Sequence, residues 1–293
     1  MAAEPTTQPA AAAGTVSLGD LVVNRMGFGA MRLTGPGIWG EAQDREGAEA
    51  VLRRAVELGV NLIDTANAYG PEVSEQLLAD ILHPYPEGLV VATKGGLIRP
   101  GPGDWQRDGR PESLRDALEG SLRRLRLERI DVYQLHAVDP QVPIEDSVGA
   151  LAELRQQGKI RHVGLSNVDA RQLATARAIV PIVSVQNRYS LADRHSEGVL
   201  EVCEREGLAF LPWFPLALGR LAESVGRLAQ VAQSHRATPA QVALAWLLGR
   251  SPAMAPIPGT SSVAHLEENL AATGLELTDA EFSELSRTSE ASL

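Results

Sequence analysis

Eight short apolar runs recur along the chain, at 26–30, 61–65, 89–94, 131–136, 162–166, 183–187, 209–214 and 253–258, each followed by an amphipathic stretch. This alternation limits the fold more than any other feature. Several runs are apolar without a polar–apolar rhythm, as parallel strands buried on both faces are. Between them the helical period is clear. Ala48, Val51, Leu52, Ala55 and Val56 share one face, as do Leu114, Leu118, Leu122 and Leu125. Thr238-Pro239-Ala240-Gln241 and Thr278-Asp279-Ala280-Glu281 carry helix-start chemistry. The chain has 293 residues, and eight β/α units need about 250. The expectation is an α/β protein, one (β/α)8 TIM barrel over residues 15–293. A doubly wound sheet would want G-x-G-x-x-G after its first strand, and Gly27-Phe28-Gly29 does not continue that way. Gly19-Asp20, between two short apolar runs, predicts an N-terminal β-hairpin capping the barrel bottom. The Ala-rich stretch 1–14 reads as a disordered tail.

Charge and composition narrow the partners. The formal net charge is −10, which argues against a nucleic-acid surface and against anionic lipid. A single cysteine, Cys203, excludes an internal disulfide framework, and the histidines form no spaced metal set. No apolar run approaches a membrane span, and no Lys or Arg precedes the Ala cluster 10–13. The expectation is a cytoplasmic protein with no metal, no membrane and no nucleic-acid partner. No coiled-coil heptads appear, so the sequence sets no oligomeric state.

In such a barrel the active site lies at the C-terminal ends of the strands. Asp64 ends the second run, with Tyr69 five residues on; Lys94 ends the third and His136 the fourth. Ser166-Asn167 ends the fifth, and Gln186-Asn187 the sixth. Singly, each has a bland reading: a turn cap, a surface aromatic, a solvated lysine, a structural histidine. On successive strands at one rim they suit carbonyl reduction. Free tyrosine has a pKa near ~10, and a neighbouring ammonium lowers it. Lys94 supplies that ammonium, Asp64 holds Lys94 charged, and Tyr69 becomes the general acid. A neutral His136 can donate to the same substrate oxygen. No side chain delivers a hydride, so a nicotinamide cofactor is required. Ser166, Asn167 and Gln186 carry the groups that grip a carboxamide.

These residues resemble the aldo-keto reductase superfamily. The matching stretches run from Gly59-Val60-Asn61-Leu62-Ile63-Asp64-Thr65-Ala66 with Tyr69-Gly70, through Ala92-Thr93-Lys94-Gly95 and Asp131-Val132-Tyr133-Gln134-Leu135-His136, to Val163-Gly164-Leu165-Ser166-Asn167 and Pro256-Ile257-Pro258-Gly259-Thr260. They cover nearly the whole chain, in family order. The resemblance implies a (β/α)8 barrel that reduces a small-molecule aldehyde or ketone, usually with NADPH. It places the catalytic tetrad on Asp64, Tyr69, Lys94 and His136. It places carboxamide contacts on Ser166, Asn167 and Gln186, and a nicotinamide-stacking aromatic on Trp213. The strand-7 loop, Phe214, Pro215, Leu216 and onward to Arg220, is implied to lie over the pyrophosphate. Many relatives carry Lys or Arg after the eighth strand to grip a 2′-phosphate. Here the segment reads Pro258, Gly259, Thr260, Ser261, Ser262, with His265 where an Arg is often found and Glu268 and Asn269 at the adenine positions. NADPH stays the expected cofactor, with NADH possible. Gly29-Ala30-Met31-Arg32-Leu33 and the 258–266 segment are similar to a bacterial branch that includes pyridoxal reductases.

The substrate pocket is expected from the loops: Trp39, Leu97 and Trp105 as walls, Phe28 and Met31 as floor, and residues 97–110 as a mobile loop over the site. Two rival functions remain open at this level. One is a non-catalytic NADPH-sensing subunit; the other is an aldolase using Lys94 as a Schiff base.

Overall fold

A computed structural model describes residues 8–217, 221 and 226–287. The chain opens with an antiparallel hairpin, β1 (Thr15–Leu18) and β2 (Leu21–Asn24). Three barrel strands follow, β3 (Phe28–Gly29), β4 (Leu62–Asp64) and β5 (Val90–Gly95). A second hairpin, β6 (Leu97–Gly101) and β7 (Asp104–Arg107), interrupts them. The barrel resumes with β8 (Ile130–Leu135), β9 (Ile160–Ser166), β10 (Ile182–Gln186) and β11 (Ala209–Phe210). These seven strands pair in parallel, in chain order.

The eighth run closes the ring. Phe210 N donates to Ala253 O and Ala255 N to Phe210 O, both at 2.8 Å, on one side. On the other side Gly27 N donates to Pro256 O at 3.0 Å and Gly29 N to Pro258 O at 3.5 Å. Residues 253–258 thus link the last strand to the first, although only a Phe210–Met254 bridge is ladder-like. The reason is local. Pro256 and Pro258 lack the N–H that a regular strand would donate.

Alternation along the strands sorts the core into two layers. Leu62, Val90, Ala92, Val132, Val183 and Ala255 point inward and form one cluster with Leu18 and Val23 of the first hairpin. That hairpin therefore caps the bottom, as its turn predicts. Ile63, Val91, Tyr133, Leu135 and Val185 point outward, against the helices. The helices Arg45–Glu57 and Pro111–Leu125 bury the predicted leucine and alanine faces. Pro239–Arg250 starts at a capping box between Thr238 and Gln241.

Two expectations are corrected. Residues 9–12 of the expected tail are a short helix, with Ala10 fully buried and its N–H bonded to Leu58 O at 3.2 Å. Alanines have too little side chain to announce a core contact. Within 97–110, expected as a mobile loop over the site, residues 97–107 form a hairpin, and its Leu97 and Trp105 line the cleft. Gly101-Pro102-Gly103 marks its turn, not a break through the whole segment.

Arg25 fastens the closed end of the ring. Its Nε donates to Met254 O at 3.0 Å, and its Nη2 to Leu248 O and Ser251 O. Arg25→Met should leave these carbonyls without a charged donor and cost about 1–3 kcal/mol. Thermal unfolding should fall by several degrees; an unchanged midpoint would refute this role.

Candidate active site

Strand parity builds the site. On β4, β5 and β8 the inward series that supplies Leu62, Ala92 and Val132 below continues upward as Asp64, Lys94 and Gln134; Ser166 of β9 and Gln186 of β10 reach the same rim, β10 after a register irregularity between Ile182 and Ser184. His136 follows β8 on the same parity. The top of the barrel interior is therefore polar because the same alternation reaches the strand ends.

Lys94 is fully buried. Its Nζ donates to Asp64 Oδ2 at 2.6 Å, to Thr65 O at 2.8 Å and to the Tyr69 hydroxyl at 3.4 Å. The other Asp64 oxygen accepts Gln186 Nε2 at 2.7 Å and Gln134 Nε2 at 3.1 Å. Gln134 is a residue the sequence reading passed over, although it sits two places before His136 on the same strand face. It has room because position 164 is glycine: a Cβ there would lie 2.9 Å from Gln134 Cγ. Tyr69 and His136 meet edge to face, with ring centroids 5.8 Å apart.

The charges follow from this packing. Burial opposes the Lys94 ammonium, but the Asp64 carboxylate and Tyr69 outweigh it, so its pKa is raised. Tyr69 differs from the sequence expectation. Burial pushes its phenol above the usual value and Lys94 pulls it down only in part, so the net direction is up. Tyr69 is thus a fully protonated donor, and the ammonium beside it is placed to stabilise the phenolate after proton loss. His136 is held well below its ordinary value by burial, then by Lys94. It is neutral at pH 7.

A cleft of about 580 Å³ opens above the tetrad. Asp64, Tyr69 and His136 form its base, while Lys94 lies beneath, out of contact with it. Ser166, Asn167, Gln186, Trp213, Phe214, Pro215 and Leu216 line one side. Pro258, Gly259, Thr260, His265, Glu268 and Asn269 line another. Ser261 and Ser262 do not; Ser262 Oγ instead caps the helix Val263–Ala271 by accepting from His265 N. Arg220 lies outside the described residues. Of the expected substrate wall, Met31, Leu97 and Trp105 line the cleft. Phe28 does not: it is fully buried in the outer core, so it is no floor. Trp39 does not either. It packs behind Arg99, whose guanidinium carbon is 5.4 Å from the Trp39 ring and 3.7 Å from the Trp105 ring. Arg99 also donates to Ala68 O, beside Tyr69, so the hairpin is tied to the turn that carries Tyr69. Arg32 and Ile38 line the cleft without having been singled out.

The residues present fit a nicotinamide dinucleotide. Asn167 sits at φ 57°, and its Oδ1 accepts the Trp213 indole N–H at 3.1 Å, which fixes the ring at the cleft wall. Ser166 and Gln186 offer hydroxyl and amide groups beside it. A Cβ at Gly259 would stand 2.5 Å from Gly29 O, so the chain there presents bare backbone to the cleft. Among the described residues no group of His, Cys, Asp and Glu could hold a metal, and no helix is long and apolar enough to cross a membrane. Cys203 is buried, its thiol pushed up to about 12 by burial.

His136 carries a pH prediction. Its folded pKa is depressed, so below pH ~6.5 the unfolded chain takes a proton that the folded chain refuses. Stability tied to His136 is full above pH ~6.5 and is lost as pH falls toward the folded value. Denaturant unfolding of wild type and His136→Gln from pH 7.5 to 5.5 should show the gap moving in favour of the variant, by up to about 1.4 kcal/mol per pH unit. A constant gap would contradict it.

Known proteins resemble this chain over most of its length. The Aldo/keto reductase family model matches residues 25–290. An uncharacterized oxidoreductase of Schizosaccharomyces pombe is 51% identical over 276 residues, covering 94% of this chain and 90% of that protein. Pyridoxine 4-dehydrogenase of Escherichia coli is 46% identical over 271 residues, covering 90% and 94%. The crystal structure of an aldo/keto reductase from Klebsiella pneumoniae in complex with NADP and acetate superposes with a TM-score of 0.77 at 28% identity, over 91% of each chain.

Proposed function

The chain belongs to the aldo/keto reductase family, and on that premise we propose that it reduces an aldehyde to an alcohol with NADPH, Tyr69 serving as general acid. The observation that carries the reading is the buried Asp64–Lys94 pair with Lys94 Nζ at 3.4 Å from the Tyr69 hydroxyl, under an open cleft. A family relative in Klebsiella pneumoniae holds NADP, which supports the cofactor.

Ser166, Asn167, Gln186 and Trp213 would hold a nicotinamide, and that group would supply the hydride for the carbonyl carbon. The chain does the rest. Tyr69 and His136 converge on the oxygen as it gains charge. Tyr69 gives up its proton to that oxygen, so the C=O π bond is replaced by one C–H and one O–H bond. Lys94 sits against the resulting phenolate, and Asp64 keeps Lys94 in place. Gln134 and Gln186 saturate the far oxygen of Asp64, so the carboxylate cannot turn away. His136 stays neutral and donates without bringing a second positive charge beside Lys94. Lys94 is buried and ion-paired, which disfavours a Schiff-base role.

The substrate we infer is a flat aromatic aldehyde of the pyridoxal type. Trp105, Leu97, Met31 and Ile38 give the outer cleft apolar surfaces. The 46% identity to pyridoxine 4-dehydrogenase supports the same choice.

The test is cofactor oxidation at 340 nm with pyridoxal, 4-nitrobenzaldehyde and a small diketone, using NADPH and NADH in parallel. Turnover should be fastest with NADPH and pyridoxal. Tyr69→Phe should cut it by ~10²-fold or more while cofactor binding survives. Undiminished turnover in that variant would remove Tyr69 from the mechanism. Tight NADPH binding with no turnover of any carbonyl would favour a sensing role instead.

A further inference from the structure

A dinucleotide carries several phosphate charges, and this chain is itself negative, with a net charge of −10. The cleft wall that faces its phosphates must offer compensating charge. The segment after the eighth run cannot supply it from position 259. Any Cβ there would meet Gly29 O at 2.5 Å, and Gly29 belongs to the first barrel strand, which closes the ring. A basic side chain at 259 would therefore push the barrel seam apart.

The space over Gly259 is approached by another residue. Arg32 Cγ lies 3.7 Å from the point where a Cβ at 259 would stand. Arg32 comes from the short helical turn Ala30–Leu33, directly after the first strand, and lines the cleft with Gly259, Thr260 and His265. It is exposed. Among the described residues it makes no ion pair, so no described carboxylate takes up its charge. It is also the one permanently charged cation among the described lining residues; Lys94 is spent on Asp64 below.

We propose that Arg32 is a phosphate-recognising cation of the cofactor site, delivered from the first-strand turn across the seam to the wall formed by Gly259 and Thr260. A guanidinium suits this task because its fork matches a phosphate and it stays charged at every working pH. The inference rests on the dinucleotide reading above, and its test separates the two.

Binding is read by isothermal titration of NADPH and NADH into wild type, Arg32→Gln and Arg32→Lys, with thermal midpoints as a control on folding. Arg32→Gln should weaken NADPH binding about tenfold or more, with an unchanged midpoint. Arg32→Lys should recover much of the loss, and the dependence of NADPH affinity on salt should be shallower in Arg32→Gln. If NADH affinity stays constant, Arg32 pairs with the 2′-phosphate; if it falls in parallel, Arg32 pairs with the diphosphate. Equal affinities of wild type and Arg32→Gln for both cofactors would overturn the assignment. A wild type that binds neither would overturn the dinucleotide reading itself.

Discussion

Everything at the top of this barrel depends on one ion pair that water does not reach. Two opposite charges in a dry interior are stable only with good geometry and with their other bonding capacity filled; removing one partner costs about 3–5 kcal/mol. Here the filling is complete on both sides. Lys94 Nζ finds Asp64, the Thr65 carbonyl and the Tyr69 hydroxyl; Asp64 finds Lys94 and two side-chain amides. The partners of Lys94 all come from β4 and the turn after it, and those of Asp64 from β5, β8 and β10, so the pair exists only if the strands keep their register. A one-residue slip of β5 would turn Lys94 outward into the helix layer and leave Asp64 alone. The pairs Asp64–Ala92 and Lys94–Gln134 in the ladders are therefore as much part of the chemistry as the side chains.

The same dependence separates two kinds of residue. Asp64, Lys94, Tyr69 and His136 sit on strand ends or one turn beyond, above a layer of apolar packing. The cleft-lining residues Met31, Leu97, Trp105 and Leu216 sit outside the barrel strands. The link between the two zones is Arg99, which stacks on Trp105 and donates to the carbonyl next to Tyr69. Substitutions in the outer wall can thus change which carbonyl compound fits without disturbing the ion pair, whereas substitution of Arg99 would reach both zones.

Much of this was legible in the sequence, and the failures share a cause. Strand alternation with helices, the hairpin turn at Gly19-Asp20 and the polar strand ends depend on short-range patterns, and the barrel order follows from them. Phe28 and Trp39 were misplaced because aromatic identity does not tell which side of a strand or turn a ring takes. Ala10 and the 97–107 hairpin were misread because small residues, glycine and proline serve both loops and tight packing. Gln134 lay hidden in plain view on the inward face of β8; parity would have found it. Arg32 could not be found that way, since its partner Gly259 lies across the ring closure, more than two hundred residues on.

Asn167 occupies a left-handed backbone position, and its amide takes the indole N–H of Trp213 while its own N–H groups reach His136 O and Ser166 Oγ. The indole is thereby immobilised when the chain folds, before any ligand arrives. Ordering a free side chain at an interface costs about 0.5–1.5 kcal/mol. That conformational entropy is surrendered at folding, not at association, so the ring acts as a rigid template from the start.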